Sequence, residues 1–101
     1  MATLLSIPAK HIQPVTGQNG FVNKDKIIDI DKISSVSQMS DGQLKDAFFI
    51  QCGDEKILIF YSSSPGSTLR ADKGVEMREE MLNIWGGKIK ENTGLNYFKF
   101  L

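Results

Sequence analysis

Two apolar runs within residues 47 to 61, AFFIQC and ILIFY, constrain the fold more than any other stretch of the chain. Both runs are rich in aromatic and β-branched residues, and the polar segment GDEK between them supplies a turn, so the stretch predicts a β-hairpin. A two-residue turn at Gly53-Asp54 pairs Ile50 with Ile57, whereas a four-residue turn pairs Ile50 with Ile59. Both registers keep the same side chains on the same face.

Both faces of this hairpin are apolar, because side chains alternate between the faces of a strand. The richer face carries Phe48, Ile50, Cys52, Ile57, Ile59 and Tyr61. The second face carries Phe49, Leu58 and Phe60, with Gln51. A domain of this size keeps only about 5 to 15 kcal/mol of net stability, so an uncovered apolar face is a liability. We therefore expect the second face to bind a second copy of the chain or another protein.

The segment KIIDIDKISSVSQM predicts two short strands with a bend near Asp31-Lys32, because its alternation of apolar residues breaks there and resumes at Ile33. The earlier segment LLSIPAKHIQPV has a similar pattern. The likeness is too weak to indicate an internal repeat, but both segments predict bent strands. Residues 17 to 26 (GQNGFVNKDK) and the SSSPGST segment read as connections.

The strongest helical periodicity runs from about residue 73 to residue 91. Its apolar residues share one side of the helix and are Met77, Met81, Leu82, Ile84, Trp85 and Ile89. Asp72 is a plausible N-cap. Gly86-Gly87 could end the helix, but Ile89 continues the apolar stripe and Gly94 offers a later C-cap, so the pattern favours continuation.

This apolar side spans about 180°, wider than the roughly 100° stripe that a helix needs to pack on one sheet. Met77, Met81 and Ile84 therefore form a second candidate partner-binding surface. Arg78 falls within the same sector. It either lays its stem along the core edge with the guanidinium in water, or acts as an interface arginine.

The tail LNYFKFL predicts a final strand over residues 96 to 101 or an extended docking segment. It also carries the alternative function. Lysines interleaved with aromatic rings can bind single-stranded nucleic acid through phosphate contacts and base stacking. The residues of this alternative are Lys88, Lys90, Tyr97, Phe98, Lys99 and Phe100.

The combined elements predict an α+β fold in one domain over residues 1–101. An antiparallel sheet or small open barrel of five or six strands is packed by one amphipathic helix near the C-terminal end. Strands followed by a helix with a tryptophan, as in MREEMLNIWGGKI, resemble a compact pleckstrin-homology-like domain. GQNGFVNKDK lacks the lysine-rich pattern of lipid-binding members, so this resemblance disfavours phosphoinositide binding and leaves peptide or protein binding open. The general style of the chain also resembles small uncharacterised proteins of marine tailed bacteriophages.

Catalytic and metal-binding patterns are weak. Cys52 and His11 are the only cysteine and histidine, and Cys52 sits in an apolar strand where thiols usually pack. The aspartates of DKIIDID fail the calcium-loop pattern, because Ile30 and Val36 stand where glycine and glutamate are needed. We expect no metal, no cofactor and no enzymatic activity.

The basic and acidic residues of the chain balance. Twelve basic and twelve acidic residues give a formal net charge of zero, so no global field attracts nucleic acid or an anionic membrane. We expect no export signal and no membrane span. A single cysteine excludes an internal disulfide and suits the cytosol, which would be a host cytosol for a viral protein. The sequence therefore favours a small non-enzymatic interaction or assembly module that forms homo-oligomers or docks on a protein partner.

Overall fold

The computed structural model describes residues 3–12, 25–39, 47–61 and 71–101, and within these ranges the fold is α+β. The described strands are β1 Leu4–Ile7, β2 Lys26–Asp29, β3 Ile33–Val36, β4 Ala47–Cys52, β5 Glu55–Phe60 and β6 Lys99–Phe100. The described helix is α1 Ala71–Trp85. Most of the GQNGFVNKDK connection and all of SSSPGST lie outside the described residues.

The six described strands form two antiparallel sheets of three rather than one sheet. The first sheet has the order β2-β1-β6, the second has the order β3-β4-β5, and the two do not make a closed barrel. The division arises because β2 leads through a 3₁₀ turn at Ile30–Lys32 directly into β3, which belongs to the other sheet. Two backbone hydrogen bonds hold this corner, from Ile30 N to Thr3 O and from Gly53 N to Lys32 O.

The first segment of the chain bends in the same way. After β1, a 3₁₀ turn at Ala9–His11 brings Ile12 beside β5, where it forms an isolated antiparallel bridge with Ile59. Both segments that the sequence predicts as bent strands therefore pass from the first sheet to the second.

The β4-β5 hairpin has the two-residue turn. Ile50 pairs with Ile57 and Cys52 pairs with Glu55, so Gly53-Asp54 alone connects the strands. Gly53 has a φ of 60°, which a type II′ turn requires at its first central residue and which glycine adopts without steric cost.

The richer face of this hairpin forms the centre of the core. Its isoleucines and Phe48 pack with Leu5 and Ile7 of β1 and with methionines of α1. The fully buried large side chains are Leu5, Ile7, Phe48, Ile50, Ile59, Met77 and Met81. The core thus lies between both sheets and the helix.

The prediction that the helix continues to residue 91 is wrong, because α1 ends at Trp85. The N–H of Lys88 bonds the carbonyl of Asn83 at 2.8 Å, and the N–H of Gly87 bonds the carbonyl of Ile84 at 3.1 Å. Together with a φ of 79° at Gly87, these bonds form a Schellman C-cap. Ile89 still packs against the core, but from the segment after the helix. The start also differs, since Asp72 lies in the first turn rather than at the N-cap.

Two side chains fasten α1 along the β3 segment. The Arg78 Nε donates to the carbonyl oxygen of Ser37 at 2.6 Å, and the Trp85 Nε1 donates to that of Ile33 at 3.1 Å. The Ser37 carbonyl oxygen is free to accept from Arg78 because the N–H of Phe49, on the neighbouring strand, donates to the Ser37 hydroxyl at 2.8 Å instead. The helix therefore satisfies two backbone carbonyl groups of the β3 segment, which forms one edge of the second sheet.

Replacing Gly87 tests the helix end. The left-handed φ of Gly87 is unfavourable for residues with a Cβ, so Gly87→Ala should lower the free energy of unfolding by about 1 kcal/mol. Gly87→Asn should cost less, because asparagine tolerates this conformation better. Urea denaturation of both variants checks the order, and an alanine variant as stable as the wild type would contradict it.

Candidate interaction surface

The second face of the β4-β5 hairpin is largely covered. Leu58 and Phe60 are only 9% and 8% exposed, and they form a small cluster with Ala47. Phe49 is half-buried against this cluster, and the Lys56 Nζ lies 4.3 Å from the centre of its ring. Leu58 and Phe60 thus expose little surface in the described conformation, and partner binding through this face stays a prediction.

The helix residues predicted to bind a partner also lie inside the molecule. Met77 and Met81 are fully buried, and Ile84 is 3% exposed. Arg78 is partly buried and serves the fold through its bond to Ser37. The wide apolar sector of the helix is used within the chain, because the C-terminal segment packs on the helix in addition to the sheets.

The tail residues of the nucleic-acid alternative are divided between core and surface. Phe98 and Phe100 are buried in the core, whereas Lys88, Lys90 and Lys99 are exposed. Tyr97 is half-buried and is described below. The described conformation thus offers lysines without freely exposed rings for base stacking, and nucleic-acid binding stays a prediction.

One carboxylate holds the C-terminal segment on the helix. Glu80 is buried, and its two oxygens accept hydrogen bonds from the backbone N–H groups of Asn96, Tyr97 and Phe98 at 2.8 to 2.9 Å. A charged acceptor makes stronger hydrogen bonds than a neutral one, and these bonds offset the desolvation of the buried carboxylate. We call these three hydrogen bonds the Glu80 clamp. The clamp holds the segment that carries Phe98 and Phe100 into the core and that places β6 beside β1.

The free edge of β6 is closed by a side chain. The Asn92 Oδ1 accepts from Phe100 N at 2.6 Å, and the Asn92 Nδ2 donates to Phe100 O at 3.0 Å. The carboxamide thus imitates one residue of a neighbouring strand and occupies an edge that could otherwise pair with another chain. The final strand predicted over 96–101 is confirmed in shortened form as Lys99–Phe100.

An aromatic cluster lies next to the Glu80 clamp. The rings of His11, Tyr61 and Tyr97 contact one another, with centroids 5.7 to 6.3 Å apart. The Tyr97 hydroxyl donates to the Glu76 carboxylate. Burial and the bond to Glu76 raise the pKa of Tyr97, and the same bond lowers the pKa of Glu76.

His11 and Cys52, the histidine and the cysteine of the sequence, each lie near a backbone carbonyl oxygen. The His11 ring has its Nδ1 3.1 Å from the carbonyl oxygen of Phe60. The Cys52 Sγ donates to the carbonyl oxygen of Asp29 at 3.6 Å, and burial raises the pKa of the thiol, which disfavours the reactive thiolate. Across the described ranges, no three His, Cys, Asp or Glu side chains are grouped to hold a metal ion. No described helix combines the length and apolar character of a membrane span.

Two open grooves flank the end of the helix. The larger, about 310 Å³, has an acidic lining that includes Glu76 and Glu80. Both carboxylates already accept hydrogen bonds from the tail, so they are engaged by the protein itself. The second groove, about 290 Å³, is lined by Trp85, Ile89 and Phe100 among others.

The first sheet carries the exposed apolar side chains that the sequence analysis missed. On β1, Leu5 and Ile7 point into the core, so Leu4 and Ser6 point outward. The strand pairings place Asp29 beside Leu4, and they place Ile27 and Lys99 on either side of Ser6. Leu101 adjoins Leu4 through a 3.1 Å bond from its N–H to the Leu4 carbonyl. We call this surface the outer face; its residues are Leu4, Ser6, Ile27, Asp29, Lys99 and Leu101.

The large apolar side chains of the outer face are more exposed than those of either partner-binding surface predicted from the sequence. Leu4 is 39% exposed, Ile27 is 54% exposed and Leu101 is 66% exposed. Leu4 and Ile27 lie on the neighbouring strands β1 and β2, and Leu101 directly follows β6 and bonds Leu4, so the three form one apolar band rather than scattered residues. Alternation of residues within β1 and β2 could have revealed the two faces, but not which strands lie side by side.

Comparison of the chain with protein-family models, with curated proteins and with solved structures found no significant match. The outer face is therefore interpreted from its own geometry and chemistry.

The Glu80 clamp predicts a large effect of a small change. Glu80→Gln keeps the size of the side chain but leaves one oxygen for three N–H donors and turns an NH₂ group toward them. We expect the free energy of unfolding to fall by about 2 to 3 kcal/mol and the amides of residues 96 to 98 to exchange faster. Urea denaturation and hydrogen exchange check this. The exposed neighbour Glu79→Gln is the control, and equal effects of the two substitutions would contradict the clamp.

From the raised pKa of the Tyr97 hydroxyl we expect the free energy of unfolding to change at alkaline pH. Its raised pKa means that the folded protein retains this proton above pH about 10, where an unfolded tyrosine loses it. Its contribution to stability is complete below that pH and is lost as the pH rises toward the folded pKa. In an ultraviolet absorbance titration, Tyr97→Phe should remove a late-titrating component that Tyr61→Phe retains. A titration curve of Tyr97→Phe with the same late component would contradict this assignment.

Proposed function

We propose that this protein is a small non-enzymatic interaction module that binds a protein chain through the outer face. The observation that carries the proposal is the band of Leu4, Ile27 and Leu101, exposed on one face of the first sheet and at the residue that follows β6. Single exposed apolar residues are common on soluble proteins, but a contiguous band on regular strands is typical of a binding surface.

The surroundings of the band support binding to protein. Asp29 and Lys99 lie at its margins and supply charges of opposite sign, as the polar rim of an interface does. A sheet also presents its side chains at fixed spacing, so little conformational entropy is lost on docking. The band replaces Phe49, Leu58, Phe60, Met77, Met81 and Ile84 as the proposed contact surface, since most of those side chains are buried.

The resemblances drawn from the sequence remain part of the proposal. A pleckstrin-homology-like reading leaves peptide or protein binding open, and the phage-like style is consistent with a small assembly protein. We also propose a reducing, cytosolic location, because the chain has one cysteine and can form no internal disulfide.

Site-specific photo-crosslinking tests the proposal. A photoreactive phenylalanine analogue replaces Ile27 during synthesis of the protein in cells. On illumination it should crosslink to a protein chain, either a second copy of this protein or another protein. The same analogue at Val75 is the matched control, because Val75 is a 44% exposed apolar residue on α1, outside the outer face. Adding Leu4→Glu should abolish the crosslinks from position 27. Equal crosslinking from both positions, or none from position 27, would overturn the proposal.

A further inference from the structure

The outer face has a two-by-three arrangement that is fixed by the strand register. One row contains Ile27, Ser6 and Lys99, and the other contains Asp29, Leu4 and Leu101. Two opposite corners, Ile27 and Leu101, are apolar. The other two corners, Asp29 and Lys99, carry opposite charges.

This arrangement is complementary to itself. A rotation by 180° about the line joining Ile27 and Leu101 places each of these residues against its own copy. The same rotation places Asp29 of one molecule near Lys99 of the other, twice. Neighbouring strands lie about 4.8 Å apart, and alternate residues along one strand lie about 6.8 Å apart. With these spacings, the rotated position of Asp29 falls within roughly 4 Å of the position of Lys99, measured parallel to the sheet. The reach of a lysine side chain covers that offset.

The two charged side chains are available for such a contact. Lys99 is exposed and has no ion-pair partner within the described residues. The Asp29 Oδ1 accepts from Asp31 N at 3.0 Å, and no other described group bonds its second carboxylate oxygen.

We propose that the partner of the outer face is a second copy of this chain, docked face to face about a two-fold axis along the Ile27–Leu101 diagonal. The inference rests on the proposed function and names the partner of the same surface. A two-fold interface requires a surface patch that complements itself, and the crossed positions of the charges meet this requirement.

The size of the outer face sets the strength of the dimer. The two-by-three grid measures only about 10 Å by 7 Å between its outermost positions, so the buried area falls below the roughly 800 Å² per partner of a standard stable interface. The dimer is therefore weak, and it forms with rising protein concentration. Its dissociation constant should increase with salt, because exposed ion pairs are screened.

A double-mutant cycle measured by sedimentation equilibrium of the purified full chain tests the arrangement. Asp29→Asn keeps the Oδ1 acceptor for Asp31 N and removes the charge. Lys99→Glu places a carboxylate opposite Asp29 in both symmetric contacts, so we expect dimerisation about tenfold weaker. In the Asp29→Asn background, the same Lys99 substitution should change the dissociation constant less than twofold, so the double variant dimerises more strongly than Lys99→Glu alone. Lys90→Glu, an exposed charge reversal outside the outer face, is the control and should leave dimerisation unchanged.

The outcomes separate this inference from the proposed function. A purified protein that stays monomeric up to about 1 mM, equivalent to binding weaker than about 4 kcal/mol, overturns the self-association. If position 27 still crosslinks to a different protein, the interaction module stands with another partner. In a further outcome, Leu4→Glu disrupts the dimer while Lys99→Glu has equal effects in the wild type and in the Asp29→Asn variant. That result would overturn the two-fold arrangement. Circular dichroism of each variant verifies the fold.

Discussion

The bonds from the Glu80 carboxylate to three consecutive backbone amides are the contact on which much of the tertiary structure depends. They attach the C-terminal segment to α1, and that attachment inserts Phe98 and Phe100 into the core. The same segment supplies β6, the third strand of the first sheet. Lys99 of the outer face and the two buried aromatic side chains therefore belong to the segment that Glu80 attaches to the helix. The buried carboxylate can serve as a structural anchor because hydrogen bonds from three backbone N–H groups compensate its loss of hydration.

The fold also protects its exposed strand edges with side chains. Asn92 satisfies the outward N–H and carbonyl groups of Phe100, while Arg78 and Trp85 bond carbonyl groups of the β3 segment. These contacts leave the face of the first sheet, rather than these edges, as the open surface. The proposed association is therefore a packing of sheet faces, in which side chains decide both partner and orientation.

The two partner-binding surfaces predicted from the sequence are mostly buried for one common reason. The apolar second face of the hairpin and the wide apolar side of the helix are real sequence features, but the fold buries most of the apolar side chains predicted to bind a partner. Periodicity shows which residues share a face and gives no information about what lies opposite that face. The helix end failed differently, because Gly86-Gly87 was a visible stop signal outweighed by Ile89 on the same stripe. Ile89 reaches the core after the Schellman cap instead of from within the helix.

Local physics in the sequence determined a hairpin with its turn within GDEK, the faces of β4 and β5, the two bent strands and the presence of one amphipathic helix; the structure then chose the two-residue turn at Gly53-Asp54. These features depend on neighbouring residues, whose spacing the sequence displays directly. Only the tertiary structure decided that the strands divide into two sheets, that Glu80 rather than Glu79 is buried, and that Leu4, Ile27 and Leu101 form one band. Those outcomes require residues far apart in the chain to lie side by side, and strand pairing at that distance is set by the packing of the whole core.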